Sequence, residues 1–263
     1  STPVWEMKNP DAKAVPIIQH PDVRRDLLWM KAYVEGIRAL NYFTGLGLDM
    51  EKVAATPAER EKWHGFVELL TPVCKAFSSD MALLVCSKAI DVYGGYGYCQ
   101  EYPVEQYLRD CKIASIYEGT NGIQSLDLVG RKLGMNKGMN VMNWFGELSA
   151  TVAKAKERPT LERYGAKLEE ATSALMDLTM TFAGLGRSAS FLIPVLNASP
   201  YLDIFGDVAI GHFLLRAAAI AEDKLDALCD EKGAVSIGKR RALIRENAEA
   251  AFYEGKIAVA KFF

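Results

Sequence analysis

Apolar residues recur along most of this 263-residue chain at steps of three and four, the signature of helices that bury one face. After "IIQHPDV", with Pro21 in a first-turn position, Leu27, Met30, Val34, Ile37 and Asn41 share a face, and "GLGLD" frays or ends that helix. A second amphipathic stretch carries Trp63, Phe66, Leu70, Val73, Phe77, Met81 and Leu84. Pro72 inside it predicts a kink or short break, with Thr71 as a local cap. The segment "DVYGGYGYCQEYP" then interrupts the helical signal. Three glycines in four residues, flanked by aromatics, make a tight packed turn, and Pro103 opens the next helix. The signal resumes at "VEQYLRDCKIASI", breaks at "YEGT", and restarts with Thr120 as N-cap of "NGIQSLDLVGRKL". Arg131 and Lys132 fall at the C-terminal end of that helix, where cations suit the macrodipole.

"GMNKGMNVMN" changes composition and reads as a linker. Beyond it Leu161, Tyr164, Leu168, Ala171, Leu175, Leu178, Phe182 and Leu185 form a heptad-like seam, better suited to intramolecular core than to a partner coil. Ile210, Leu214, Ala217, Ala221, Leu225 and Leu228 make another face, and a last helix from about Gly238 carries Ile244, Ala248, Phe252 and Val259. No alternating strand pattern of useful length occurs. The prediction is an all-α fold of two consecutive antiparallel bundles: a four-helix-type bundle over 1–135 and a second helical bundle over 136–263.

Composition narrows the function classes. Half the residues are hydrophobic, 24% are charged and the net charge is -2, with no basic block, which argues against nucleic acid or an anionic membrane as partner. No apolar run suggests a membrane span or signal peptide. Five cysteines without a CxxC pair read as reduced intracellular thiols, and three isolated histidines make a metal site improbable. Ser1 rather than Met opens the chain, as in a processed product or part of a longer one.

Two motifs could carry chemistry. Glu118 lies between one helix and the next, with Gly119 beside it for backbone freedom. Unpaired N–H groups at a helix N-terminus can receive an anion or a polarised carbonyl. A carboxylate there, hemmed by Tyr117 and Ile116, would lose hydration and act as a base near neutrality; a solvated loop glutamate fits the same residues. "YGGYGY" could cradle a pyrophosphate with its backbone, yet it lacks GxGxxG spacing and a preceding strand, so a structural turn fits it as well.

Together, and at their spacing, the motifs resemble a known family. "GGYGYCQEYPVEQYLRDCKIASIYEGTNGIQ" is similar to the C-terminal helical domain of the flavin-dependent acyl-CoA dehydrogenases, where a Gly-Gly-x-Gly-Tyr turn precedes Tyr-Pro-Val-Glu, Arg-Asp and Tyr-Glu-Gly-Thr. The resemblance extends loosely to "IIQHPDVRRDLLWMKAYVEGIRAL", and the region from about 136 resembles the extra helical domain of one subgroup. The family's N-terminal helical and middle β-domains have no counterpart in the chain.

The resemblance implies that Glu118 removes the α-proton of an acyl-CoA thioester while FAD accepts the β-hydride, giving the trans-2-enoyl-CoA. Tyr117 and Gly119 would border the thioester, and Thr120 with Gly122 would approach the flavin. Gly94 and Gly95 would offer backbone to the FAD of a neighbouring subunit, so a homo-oligomer is implied. Electron-transfer flavoprotein as acceptor and a cytoplasmic location complete the expectation. Asp91 departs from the family's usual Gln: an acceptor-only anion there weakens the contact with FAD unless a cation compensates. The family's phosphate-holding arginine would lie before Ser1. The isolated chain is therefore expected to fold without turning over substrate. The competing reading is a non-catalytic helical module of the same fold, for oligomerisation or binding.

Overall fold

The computed structural model describes residues 1–186 and 188–263, and among them the chain is helical throughout, with no strand. Two long antiparallel helices, α1 (Pro21–Val53) and α2 (Pro57–Tyr93), are joined by a short turn. Thr56 starts α2 with a reciprocal capping box: its hydroxyl accepts from Glu59 N–H and the Glu59 carboxylate receives the Thr56 N–H. α2 runs unbroken through Pro72, where the Thr71 hydroxyl bonds back to Val67 O at 2.6 Å instead of capping a new segment.

The buried stripe of α1 corrects the periodicity reading. It consists of Ala32, Gly36, Leu40, Thr44 and Gly47, while Val34 is exposed. Small residues form the stripe because neighbouring helices come close: a Cβ on Gly36 would sit 2.7 Å from the Ile210 Cβ, and one on Gly47 2.8 Å from Val67 Cγ2. For the same reason "GLGLD" stays inside α1 and does not end it.

α3 (Val104–Lys112) and α4 (Asn121–Gly130) pack on α2. Beyond α4, Arg131 pairs with Asp127 at 2.6 Å, but Lys132 turns inward, buried against Glu68 of α2 and not serving the helix end. The stretch read as a linker holds a left-handed turn, Asn136, Lys137 and Gly138, from which α5 (Met139–Lys156) starts at once. α5 went unread in the sequence although Trp144, Phe145 and Leu148 are fully or almost fully buried.

Leu161, just ahead of α6 (Glu162–Leu185), and Leu168, Leu175 and Phe182 on it are buried within the chain, alternating with the small buried residues Gly165, Thr172 and Thr179. α7 (Leu192–Leu196) is a short exposed apolar helix before α8 (Ala198–Glu231). α8 is the axis of the molecule. It packs on α1, α2, α4, α5, α6 and α10, and one continuous core of aromatic and aliphatic side chains includes residues from both halves of the chain. The final helical stretch divides into α9 (Ile237–Glu246) and α10 (Ala248–Phe262). Asn247 lies between them in extended conformation and accepts from Glu249 and Ala250 N–H at 2.9 Å. α2 and α8 are also long and apolar enough to cross a membrane by length and composition, and in this fold their apolar faces form the core.

Candidate active site

α3 tightens into a 3₁₀ turn at Ile113–Ser115, and Ile116 and Tyr117 donate their N–H groups back to Ile113 O. The chain then reverses through two left-handed residues, Glu118 (φ 55°) and Gly119 (φ 84°), before Thr120 returns to extended conformation and caps α4 by accepting from Ile123 N–H at 3.3 Å. Gly119 is favoured by its φ, and it leaves the Gln124 side-chain amide room to lie 2.9 Å from where a Cβ would stand. Gln124 holds the reversal by donating to Glu118 O at 3.3 Å. A left-handed glutamate has no such excuse. The clash between Cβ and the following carbonyl costs about 1–2 kcal/mol, which Gly would avoid. Residues kept in such conformations cluster at functional sites.

The reversal is pinned to the middle of α2 by a residue the sequence reading passed over. Asn121 donates to Ala76 O at 3.2 Å and to Ser79 Oγ at 2.8 Å, and accepts from Lys75 Nζ at 2.7 Å. Only its place directly after the Thr120 cap signalled it. Lys75, Ser78, Ser79, Ala114, Tyr117 and Glu118 line an open cleft of about 420 Å³. The Glu118 carboxylate forms no ion pair among the described residues and is exposed. Tyr117 and Ile116 are themselves 55% and 54% exposed, so the shielding expected around Glu118 is absent in this chain. Its neighbours present apolar surface outward instead of closing over it.

Backbone donors converge on the same place. Among the described hydrogen bonds, the N–H groups of residues 118–122 have no protein acceptor, so five successive donors open on the reversal and the first turn of α4. Gly122 stands among them with no heavy atom closer than 3.9 Å to where its Cβ would lie. Free donors, a glycine that the chain's own packing does not require, and flanking apolar side chains suit the polar and ring portions of a flavin. Thr120, Gly122 and their neighbours would hold it.

The second motif lies elsewhere. Gly94 and Gly95 begin four helical turns beyond Ser79 on α2, about 22 Å away at 1.5 Å rise per residue. The structure therefore groups Tyr117, Glu118, Gly119, Thr120 and Gly122, and separates Asp91, Gly94 and Gly95 from them. The turn's glycines have different reasons. Gly94 ends α2 at φ 64°, and a Cβ on Gly97 would come within 2.7 Å of Ile90 O, whereas one on Gly95 would meet nothing. Tyr102 packs between Tyr93 and Tyr96, with ring centroids 5.9 and 5.5 Å away, and stiffens the turn. Asp91 is exposed and no described cation pairs with it.

The all-helical fold that carries this reversal has counterparts among known proteins. Residues 5–134 match the family model "Acyl-CoA dehydrogenase, C-terminal domain", and residues 144–263 match "Acetyl-CoA dehydrogenase C-terminal like". A butyryl-CoA dehydrogenase of Syntrophomonas wolfei is 35% identical over 97% of the chain and 39% of its own length. The broad-specificity linear acyl-CoA dehydrogenase FadE5 of Mycobacterium tuberculosis is 34% identical over 98% of the chain and 41% of its length. The crystal structure of Caenorhabditis elegans ACDH-11 in complex with C11-CoA superposes with a TM-score of 0.71 at 18% identity, over 95% of this chain and 37% of that one, a likeness of fold. The chain belongs to the acyl-CoA dehydrogenase family and spans about two fifths of the length of these relatives.

Proposed function

We propose that the whole protein oxidises an acyl-CoA to the trans-2-enoyl-CoA and that Glu118 is the base for the α-proton. The observation that carries this is the left-handed Glu118, held at a backbone cost beside five free N–H donors. An α-proton of a thioester is too weakly acidic for a free carboxylate. The Glu118 N–H, donating to the thioester carbonyl, stabilises the enolate-like charge as it develops. Tyr117 and Gly119 border the acyl group, and water exclusion comes from whatever covers the exposed Ile116–Tyr117 surface. FAD, when bound, supplies the hydride acceptor, and Thr120 and Gly122 hold it at the N-terminus of α4.

Gly94 and Gly95, too distant to serve the same site, offer backbone to the cofactor of a neighbouring subunit in a homo-oligomer, with the Asp91 carboxylate weakening that contact. Electron-transfer flavoprotein is the electron acceptor and the cytoplasm the location in this reading. The chain alone folds but carries too little of the site to bind FAD tightly or turn over substrate.

Glu118→Gln in the whole protein tests the assignment. The expected result is an unchanged flavin absorbance band with dehydrogenation reduced by about 10²–10⁴-fold, the usual contribution of a general base. Undiminished turnover would place the base on another residue.

A further inference from the structure

At the far end of α4 from Glu118 lies a cavity of about 540 Å³. It is an open groove between the end of α4, the left-handed turn, the first turn of α5 and the last turns of α6, and its volume is within the range that holds small molecules. Leu133, Val141, Met142 and Phe182 give it apolar walls. The one hydroxyl on the wall, Thr179, is already engaged, bonding Leu175 O at 2.7 Å and pairing with Tyr201 Oη at 2.6 Å.

Three glycines on the wall have no reason within the chain. A Cβ on Gly130, Gly134 or Gly184 would meet no heavy atom within 4 Å, and none of the three has a positive φ. Gly130 and Gly184 belong to helices, where glycine weakens the element that contains it. All three are exposed and lie along the rim, where a leucine side chain could reach across the opening.

Charge at the mouth has one sign. Lys137 lines the cavity in left-handed conformation, between Asn136 and Gly138, and makes no ion pair or hydrogen bond among the described residues. The N-terminus of α5 opens beside it. Its cap residue, Gly138, offers no side-chain acceptor, and no acidic residue occupies the first turn. An apolar groove edged by the exposed Lys137 and by the N-terminal end of α5, whose first N–H already bonds Asn136 O, is complementary to an anionic head joined to an apolar tail.

We propose that this cavity binds the carboxylate of a medium-chain fatty acid, with its tail against Leu133, Val141 and Phe182 and its head at Lys137. The site is separate from Glu118 and does not depend on the reaction assigned to it. Decanoate is the probe, titrated calorimetrically into this chain, with decanol as the uncharged control. Variants Gly130→Leu and Gly184→Leu obstruct the groove, and Lys137→Asn removes the charge while suiting the left-handed backbone; circular dichroism checks that each remains folded.

The expected result is one saturable decanoate per chain, abolished by either leucine variant. Lys137→Asn weakens it tenfold or more, with decanol little affected, and Glu118→Gln leaves it unchanged. Absence of saturable decanoate binding, or binding that survives both leucine variants, would overturn the proposal. So would binding lost in Glu118→Gln, which would put the acid in the cleft beside that residue.

Discussion

The axis of the molecule around α8 and the reversal at 117–122 are built on opposite principles. Around α8 every close approach is answered from within the chain: Gly206 leaves room for the Phe77 ring, Gly36 for Ile210, and Trp144 lies between Phe43, Phe205 and Phe213. At the reversal Asn121 and Gln124 answer the inner side, and the outward side is left unanswered. Backbone donors lack acceptors, Gly122 has empty space beside it, and Ile116, Tyr117 and Ile123 remain exposed. Gly206 and Gly36 are demanded by packing, whereas nothing in the chain's own packing demands Gly122.

That contrast can be broken by experiment, first where it is strongest. Gly206→Ala forces a methyl into Phe77, and overpacking of this kind costs about 3 kcal/mol. Chemical denaturation should show a loss of that size, and an unchanged midpoint would mean the core yields more readily than its geometry indicates.

Next is His212, buried on α8 against Trp144 and Phe213, with both ring nitrogens lacking partners. Burial, with Arg216 nearby, lowers its pKa from 6.5 to about 3. Below pH 6.5 the unfolded chain takes up a proton that the folded chain refuses, so stability falls as pH drops from 6.5 towards 3. The slope is about 1.4 kcal/mol per pH unit, roughly 2 kcal/mol between pH 6.5 and 5. His212→Phe should flatten this part of the stability profile. An equally steep profile in the variant would assign the acid sensitivity to other groups.

At the reversal the effects on stability are smaller and of opposite sign. Glu118→Gly relieves a left-handed side chain and should stabilise the chain by about 1 kcal/mol, a rise of about 2–4 °C in melting temperature. A destabilised variant would mean that Glu118 makes a structural contribution in the folded chain. Gly122→Ala should leave the melting temperature of this chain within about 2 °C yet weaken flavin retention in the whole protein. Flavin held as tightly as before would remove Gly122 from the cofactor surface.

Large apolar residues made the interior legible in the sequence: Phe66, Leu70, Val73 and Phe77 on α2, and the heptad from Leu161 to Phe182, are buried where their spacing put them. Small ones did not. Ala32, Gly36 and Gly47 are buried because of what approaches them, and hydrophobic periodicity assigns them little weight. α5 escaped because Met, Asn and Gly at its start imitate a linker, and the α9–α10 break because a lone Asn can extend a helix or cap one. In the candidate site Glu118 was readable from its motif. Its left-handed backbone and the Asn121–Lys75 anchor were not, since both depend on how α4 is seated against α2.

The central claim concerns a proton, and solvent exchange of that proton tests it most directly. An acyl-CoA carrying deuterium at the α-carbon is incubated in ordinary water with the whole protein, and with its Glu118→Gln variant. The account predicts that the wild type washes out the label and that the variant, with its flavin band intact, washes it out no faster than buffer. Wash-out at the wild-type rate in Glu118→Gln would contradict it.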